Sequence, residues 1–426
     1  MKKIKIGFFG LSHLGLNYSL ASTLKGYNLV CYDENKNKIE NLKKNKILIN
    51  EPGLNKLIKK KNKYILFSNK LNDLKKCKII FISYDTETND LGEPNIKKLN
   101  QKIKILLKNI NKKTILILLS QVPPGFTCKI KWPKNLLYYQ VETLIFGKSI
   151  KRALSPERFI IGKNNINKKI DKYYLDYLKK FKCPIFEMDY LSAELTKISI
   201  NMFLASTLTM TSVLSKICEN IGASWKSIIP ALKLDKRIGK YAYLKPGLGI
   251  SGGNIERDIT VIKKMFKNKM ESTINFFNFI KSVNEISKIR KDWVYDNLKK
   301  FKYINNKKKI GILGLSYKEN TNSIKNSPSI ELIKKLKNDH LKIYDPSLNL
   351  NFENKKHISC KKIKETIKNI DCLCIMTPWK QFNKIKTKEL KKLMRGKLII
   401  DPFCVLNKNE IEKHKLKYLS MGEFFE

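Results

Sequence analysis

The chain has 426 residues, and several things are scarce in it. No run approaches about 18 consecutive apolar residues, so neither a membrane span nor a membrane partner is expected. MKKIKIGFFGLSHLG begins like a signal peptide. However, Gly7, Gly10, Ser12, His13 and Gly15 interrupt its apolar run and no small-residue cleavage site comes after it. It reads as a first strand, and the expected location is the cytoplasm. The nine cysteines (31, 77, 128, 183, 218, 360, 372, 374 and 404) contain no CxxC pair, and the four histidines (13, 340, 357, 414) show no ligand spacing. Zinc is therefore not expected, and free thiols in a reducing compartment are. Arginine occurs only at 152, 158, 237, 257, 290 and 395, so the formal net charge of +49 rests on lysines spread through strands and turns alike. No basic patch interleaved with aromatics stands out. Nucleic acid is not an expected partner, although such a charge attracts anionic substrates.

What is present is alternation. KIKIGFFG, NLVCYD, CKIIFISYD and TILILLS read as strands, and LGLNYSLASTLKG, ENKNKIENLKK and IKKLNQKIKILLKNI as helices between them. This is the pattern of a doubly wound parallel sheet. Residues 191–300 change character, with long helical stretches over YLSAELTKISINMFLASTLTMTSVLSKICENIG, IERDITVIKKMFKNKM and the segment beyond. From about 305 the alternation returns, and KIGILGLS echoes the opening KIGFFGLS. The expected fold is α/β: two Rossmann-like doubly wound parallel-sheet domains (1–190 and 301–426) joined by a helical middle domain (191–300). The apolar helix of the middle domain suits a homodimer interface.

Gly10-Leu11-Ser12-His13-Leu14-Gly15 sits between strand and helix, where a dinucleotide fingerprint belongs. Gly10 makes the tight turn, and Gly15 allows close helix packing. The helix N-terminus faces a pyrophosphate, while Ser12 replaces the second glycine. Asp33 ends the second strand, where a carboxylate binds a ribose diol and favours NAD over its 2′-phosphorylated form.

Further segments, in order, resemble one family. ILINEPGLNKLI (47–58), SQVPPG (120–125), ALSPERFIIG (153–162), SAELTKISINMFLA (192–205), DKRIG (235–239), GLSYKENTNSIKNSP (314–328), TPWKQF (377–382) and IIDPF (399–403) are similar to motifs of UDP-glucose dehydrogenases and their nucleotide-sugar relatives. The resemblance implies NAD as cofactor and a UDP-sugar as substrate. It also implies oxidation of a primary alcohol to a carboxylate through a cysteine-bound intermediate. Residue by residue it implies catalytic positions at Lys197, Asn201 and Asp258, and at Glu142 as the base for thioester hydrolysis. Cofactor contacts fall at Gly10, Ser12, Leu14, Gly15, Asp33, Thr86, Gln121 and Lys325. Substrate contacts fall at Arg237, Tyr243, Leu244, Lys245, Gly249, Gly252, Tyr317 and Lys318. Lys197 and Asn201, four apart, share a helix face.

Against that pattern stand specific departures. The segment GLGISGGNIERD (247–258), read as the active-site loop, carries Asn254 where the family has its nucleophilic cysteine. An amide forms no hydrolysable thioester, so the second oxidation loses its covalent route. Gln121 replaces a threonine, Phe146 a second glutamate, and Lys325 an arginine with its bidentate geometry. The last strand ends Asp401-Pro402-Phe403-Cys404 and lacks the family's final arginine. These departures leave an oxidoreductase that stops after one oxidation, or that oxidises a hydrated aldehyde without a covalent intermediate, and against it a non-catalytic nucleotide-sugar-binding subunit.

Overall fold

The computed structural model describes residues 4–47, 49, 51–89, 92–266 and 274–425. The chain divides into two compact units, Met1–Ile200 and Asn201–Glu426.

In the first unit, five strands run in parallel out of short apolar segments: β1 (Lys5–Phe9), β2 (Asn28–Tyr32), β3 (Ile65–Ser68), β4 (Ile79–Ile82) and β5 (Ile115–Leu118). β6 (Leu137–Gln140), β7 (Phe159–Lys163) and β8 (Ile185–Asp189) extend the same sheet, in the order β3-β2-β1-β4-β5-β6-β7-β8. Every residue of β4 and β5 is buried, as in a sheet covered on both faces. Each such Ile, Leu or Phe contributes roughly 1.5–3 kcal/mol by leaving water. The sheet is not wholly parallel as expected. β7 runs antiparallel to β6, and β8 then runs parallel to β7. Buried strands of either direction read as the same apolar run, so composition could not reveal the reversal. Helices α1 (His13–Leu24), α2 (Lys36–Lys43), α3 (Leu54–Lys61), α4 (Ile96–Asn109), α5 (Ser149–Leu154) and α6 (Lys172–Lys179) connect the strands. The order reverses between β1 and β4, and a crevice outside the carboxyl ends of the strands belongs at such a point.

The helix α7 (Tyr190–Ile221) begins in the first unit and continues into the second. Among the described residues it is the one helix long and apolar enough to cross a membrane, with a best-window hydropathy of 1.3. It also carries Glu194 and Lys197, both buried. α8 (Trp225–Leu234), α9 (Asn254–Phe266) and α10 (Ile274–Lys300) complete the helical part. Residues 267–270 of the helix expected over 255–270, and 271–273 of the segment after it, lie outside the described residues, as do Leu48 and Asn50 of the 47–58 motif.

The second sheet repeats the first in smaller form. β9 (Lys309–Leu313), β10 (His340–Tyr344), β11 (His357–Ser359), β12 (Cys372–Ile375), β13 (Leu398–Ile400) and β14 (Lys417–Leu419) are all parallel, in the order β11-β10-β9-β12-β13-β14. Cys372 and Cys374 lie in its core as free thiols. The α/β fold with two Rossmann-like sheets and a helical middle region is therefore the one observed.

Candidate active site

The turn after β1 is built around two glycines. Gly10 has φ +102°, and a Cβ there would lie 2.6 Å from the Tyr84 ring. A Cβ on Gly15 would lie 2.0 Å from the Gly10 carbonyl oxygen, so only glycine lets α1 start this close to the strand. Leu14 is buried as the second residue of α1. Ser12, in the place of the second glycine, turns its hydroxyl away to donate to the Ser83 carbonyl at 2.8 Å. Its side chain makes no cap bond to the first N–H groups of α1, in keeping with an anion-binding helix start. Asp33 is buried at the end of β2. It accepts the Leu11 N–H at 2.9 Å and the Asn35 N–H at 3.1 Å, with Lys38 Nζ at 2.9 Å. These features fit a dinucleotide: a close-approach turn, an uncapped helix start and a carboxylate at the second strand. Lys38 was missed in the sequence, where it is one lysine among many; its contact with Asp33 singles it out.

Thr86 and Gln121 come together at the ends of β4 and β5, where the Thr86 hydroxyl donates to the Gln121 carbonyl at 2.6 Å. Glu142 and Lys197 also meet. Lys197 Nζ lies 2.7 Å from Glu142 Oε1, both side chains are about nine-tenths buried, and Glu142 Oε2 accepts the Leu144 N–H at 3.0 Å. Two distant segments that each look weak in sequence thus form one buried ion pair. A pair this sheltered needs its partners in place, since removing either leaves an uncompensated charge.

Two carboxylates in this unit escaped sequence reading. Glu194, fully buried on α7, accepts the N–H groups of Gly125 (2.5 Å) and Thr127 (2.8 Å) and the Thr127 hydroxyl (2.6 Å), which pins the VPPG loop. Burial pushes its carboxyl up, and these hydrogen bonds pull the other way. The other is Glu51, which joins His13 to the segment after Glu142.

In the second unit, residues 254–258 are helical. The expected loop ends at Gly253, and Asn254 is the first residue of α9, exposed. Gly249 (φ +70°) and Gly252 (φ +82°) form the turn before it, and a Cβ on Gly252 would meet the Tyr317 ring at 3.0 Å. Asp258 is buried and accepts from Asn201 Nδ2 at 2.5 Å. The buried Arg257 reaches Asp258 (3.6 Å) and the Asn254 side-chain oxygen (3.4 Å). The 252–258 segment is held from outside by Asn326, which donates to the Gly252 carbonyl at 3.1 Å and to Glu256. Lys291 adds an ion pair to Glu256 at 3.2 Å. Burial raises the Glu256 carboxyl, and Lys291 opposes it.

Among the expected substrate residues, Tyr317 packs on Gly252, and Lys318 Nζ stands 5.7 Å from the Tyr317 ring centre. Lys325, expected at the cofactor, runs alongside Gly253 in this unit. Tyr243 and Leu244 turn their carbonyls inward, to the Thr211 hydroxyl (3.0 Å) and the Trp225 indole N–H (2.8 Å), while Lys245 is exposed. Arg237 points into solvent with an 89% exposed side chain and pairs only locally, with Asp235 at 2.6 Å. Cys404 is an exposed free thiol after β13. Desolvation raises its thiol and Asp401 adds to the rise, which disfavours the thiolate.

Comparison with known proteins adds three consecutive matches to one family. The UDP-glucose/GDP-mannose dehydrogenase family NAD binding domain matches residues 4–177, its central domain 191–288 and its UDP binding domain 311–408. The chain is 28% identical to a UDP-glucose 6-dehydrogenase of Rickettsia bellii (strain RML369-C), over 98% of this chain and 99% of that protein. In fold it is similar to a UDP-glucose dehydrogenase from the archaeon Pyrobaculum islandicum, with TM-score 0.85 and 20% identity over 99% of this chain and 98% of that one. It is likewise similar to a UDP-D-ManNAc dehydrogenase from Pyrococcus horikoshii, with TM-score 0.84 and 19% identity over 98% and 99% of the two chains.

Proposed function

The chain belongs to the UDP-glucose/GDP-mannose dehydrogenase family, with NAD as its cofactor, and from that premise we propose that it carries out a single two-electron oxidation of the sugar of a UDP-sugar. NAD, when bound, accepts a hydride from the sugar carbon. The alcohol then becomes a carbonyl and gives up its hydroxyl proton. The Glu142 carboxylate, held by Lys197, is the group that takes this proton while Lys197 stays an ammonium, and the buried pair is the observation that carries the reading. A scaffold with no chemistry to perform gains little from a sheltered lysine–carboxylate pair. Asn201 and Asp258 orient the reacting oxygen and a water. Gly10, Ser12, Leu14, Gly15, Asp33, Thr86, Gln121 and Lys325 serve the cofactor. Arg237, Tyr243, Leu244, Lys245, Gly249, Gly252, Tyr317 and Lys318 serve the UDP-sugar. With Asn254 in place of a thiol the product is released at the carbonyl stage.

The same reading makes the protein a cytoplasmic homodimer that engages neither membrane nor nucleic acid. Phe203, Met210, Ile217 and Ile221 lie along one stripe of α7, from 45% to 78% exposed, which suits a second copy.

The test is to count NADH per sugar with purified protein and a panel of UDP- and GDP-sugars, trapping the product with a carbonyl reagent. One NADH and a trapped carbonyl are expected, and two NADH per sugar would sink the single oxidation. Binding without turnover would favour the non-catalytic subunit, which the changes at Asn254, Gln121 and Cys404 favour. Asn254→Cys should raise the yield from one NADH to two if the rest of the segment is competent.

A further inference from the structure

His13, Glu51 and the 146–149 segment are far apart in the chain, yet they meet in the first unit, with His13, Glu51 and Ser149 buried and Phe146 and Gly147 half-buried. Glu51 is 5% exposed. Its Oε2 accepts from His13 Nε2 at 3.0 Å and from the Gly147 N–H at 3.0 Å, and its Oε1 accepts the Ser149 N–H at 2.8 Å. Ser149 Oγ lies 3.2 Å from the same imidazole nitrogen and donates to the Ile145 carbonyl at 2.8 Å. The Phe146 ring stacks on the imidazole, with centroids 3.9 Å apart and planes 22° from parallel. Burial alone would raise the Glu51 carboxyl. The bonds from His13, Gly147 and Ser149 outweigh it and hold the carboxyl below its usual range.

The two ends of this cluster matter. His13 opens α1 inside the Gly10–Gly15 turn. Gly147 and Ser149 close a short segment that begins at Glu142, whose carboxylate is set by the Leu144 N–H and by Lys197. One carboxylate thus grips the turn and the segment together. Charge-assisted bonds to two backbone N–H groups fix a short segment more firmly than packing alone. We propose that Glu51 is a positioning residue, coupling the dinucleotide turn through His13 to the segment that places Glu142 against Lys197. This rests on the reading of that turn as the NAD cradle and of Glu142–Lys197 as the proton-accepting pair. The described partners of Glu51 are His13, Gly147 and Ser149, so it acts through the 142–149 backbone.

The experiment compares the unchanged protein with Glu51→Gln. NAD affinity is measured by quenching of protein fluorescence, amide exchange over 143–149 with and without NAD, and kcat and KM with a turned-over UDP-sugar. In the unchanged protein NAD should slow exchange at 143–149. In Glu51→Gln, NAD should still bind within a few-fold, the slowing should vanish, and kcat should fall about tenfold or more with KM for NAD nearly kept. Glu51→Asp should recover part of kcat. Should Glu51→Gln fail to fold, His13→Ala cuts only the link to the turn. It should keep the basal exchange of 143–149 and lose its response to NAD. Wild-type kcat with intact protection in either folded variant overturns the proposal. NAD binding by the unchanged protein without any response at 143–149 overturns it while leaving the cofactor reading intact. Failure of the unchanged protein to bind NAD overturns both.

Discussion

The molecule uses the same turn twice, after β1 and after β9, and the two part ways at the next residues of the chain. Gly10-Leu11-Ser12 and Gly314-Leu315-Ser316 both place a positive-φ glycine at the end of a first strand, at +102° and +100°. In both, the aspartate ending the second strand accepts the leucine N–H, Asp33 at 2.9 Å and Asp345 at 2.7 Å. After Ser12 the helix starts at once, at His13. After Ser316 the chain wanders through Tyr317, Lys318 and Lys325 before α11 (Pro328–Lys335) begins. Asp33 accepts the Leu11 and Asn35 N–H groups and pairs with the partly exposed Lys38. Asp345 is closed over by the Ser316 N–H, both donors of Ser347 and the Trp379 indole. The first turn leads straight into a helix start, whereas its twin's aspartate is bonded to its own loop. A turn shared in sequence is therefore no proof of a shared ligand.

The comparison breaks most sharply at the glycines. Gly10→Val should abolish NAD binding, by at least about 100-fold, since it combines a positive φ with a clash on Tyr84. Gly314→Val, which clashes with Thr377 instead, should leave NAD binding intact and damage UDP binding. Titrations with NAD and with UDP on both variants check this, and equal losses of NAD would refute the division of labour. Next come the aspartates. Asp33→Ala should weaken NAD binding roughly ten- to hundredfold, the scale of lost charged hydrogen bonds. Asp345→Ala should leave NAD affinity within about twofold while lowering Tm, because it strands buried donors.

A third difference is the carboxyl that ends β13, where the matching strand of the first sheet, β5, is followed by Leu119 and Ser120. Asp401, at the end of β13, is fully buried and raised to about 6 by burial, against hydrogen bonds from Leu406, Tyr418 and Phe403. Its folded value lies above the unfolded value of about 3.9, so the fold binds the proton more tightly. The resulting stability is present below about pH 4 and is lost as pH rises through about 6. Asp401→Asn should flatten that slope by on the order of 2 kcal/mol in urea unfolding between pH 4 and 7. An unchanged slope would contradict it. The smallest effect is at Ser12. Its hydroxyl already turns to Ser83, so Ser12→Gly should change NAD affinity by no more than about threefold.

The strands, the two turns and the long helices were legible because local patterns decide them. Glycine at a positive φ, alternation of strand and helix, and helical periodicity are properties of neighbouring residues. What stayed hidden was pairing at a distance. Glu51 with His13, Glu194 with Thr127, and Lys38 with Asp33 are polar contacts whose partners are common residue types, and only the fold says which of them meet. Glu142 and Lys197 lie 55 residues apart, and their contact is likewise visible only in the fold. The reversal at β7 was invisible because burial on both faces erases the cue that distinguishes strand directions. The helical state of Asn254 was obscured by the glycines before it.

That last position has a practical consequence. Asn254 is exposed at the start of a helix, whereas Cys31, Cys77, Cys218, Cys372 and Cys374 are buried. A thiol installed there is acidified by the helix start and is labelled ahead of those five. With the exposed Cys128 and Cys404 replaced, Asn254→Cys thus offers an attachment point for a fluorophore, whose response to added UDP-sugar tests whether a sugar nucleotide reaches this segment.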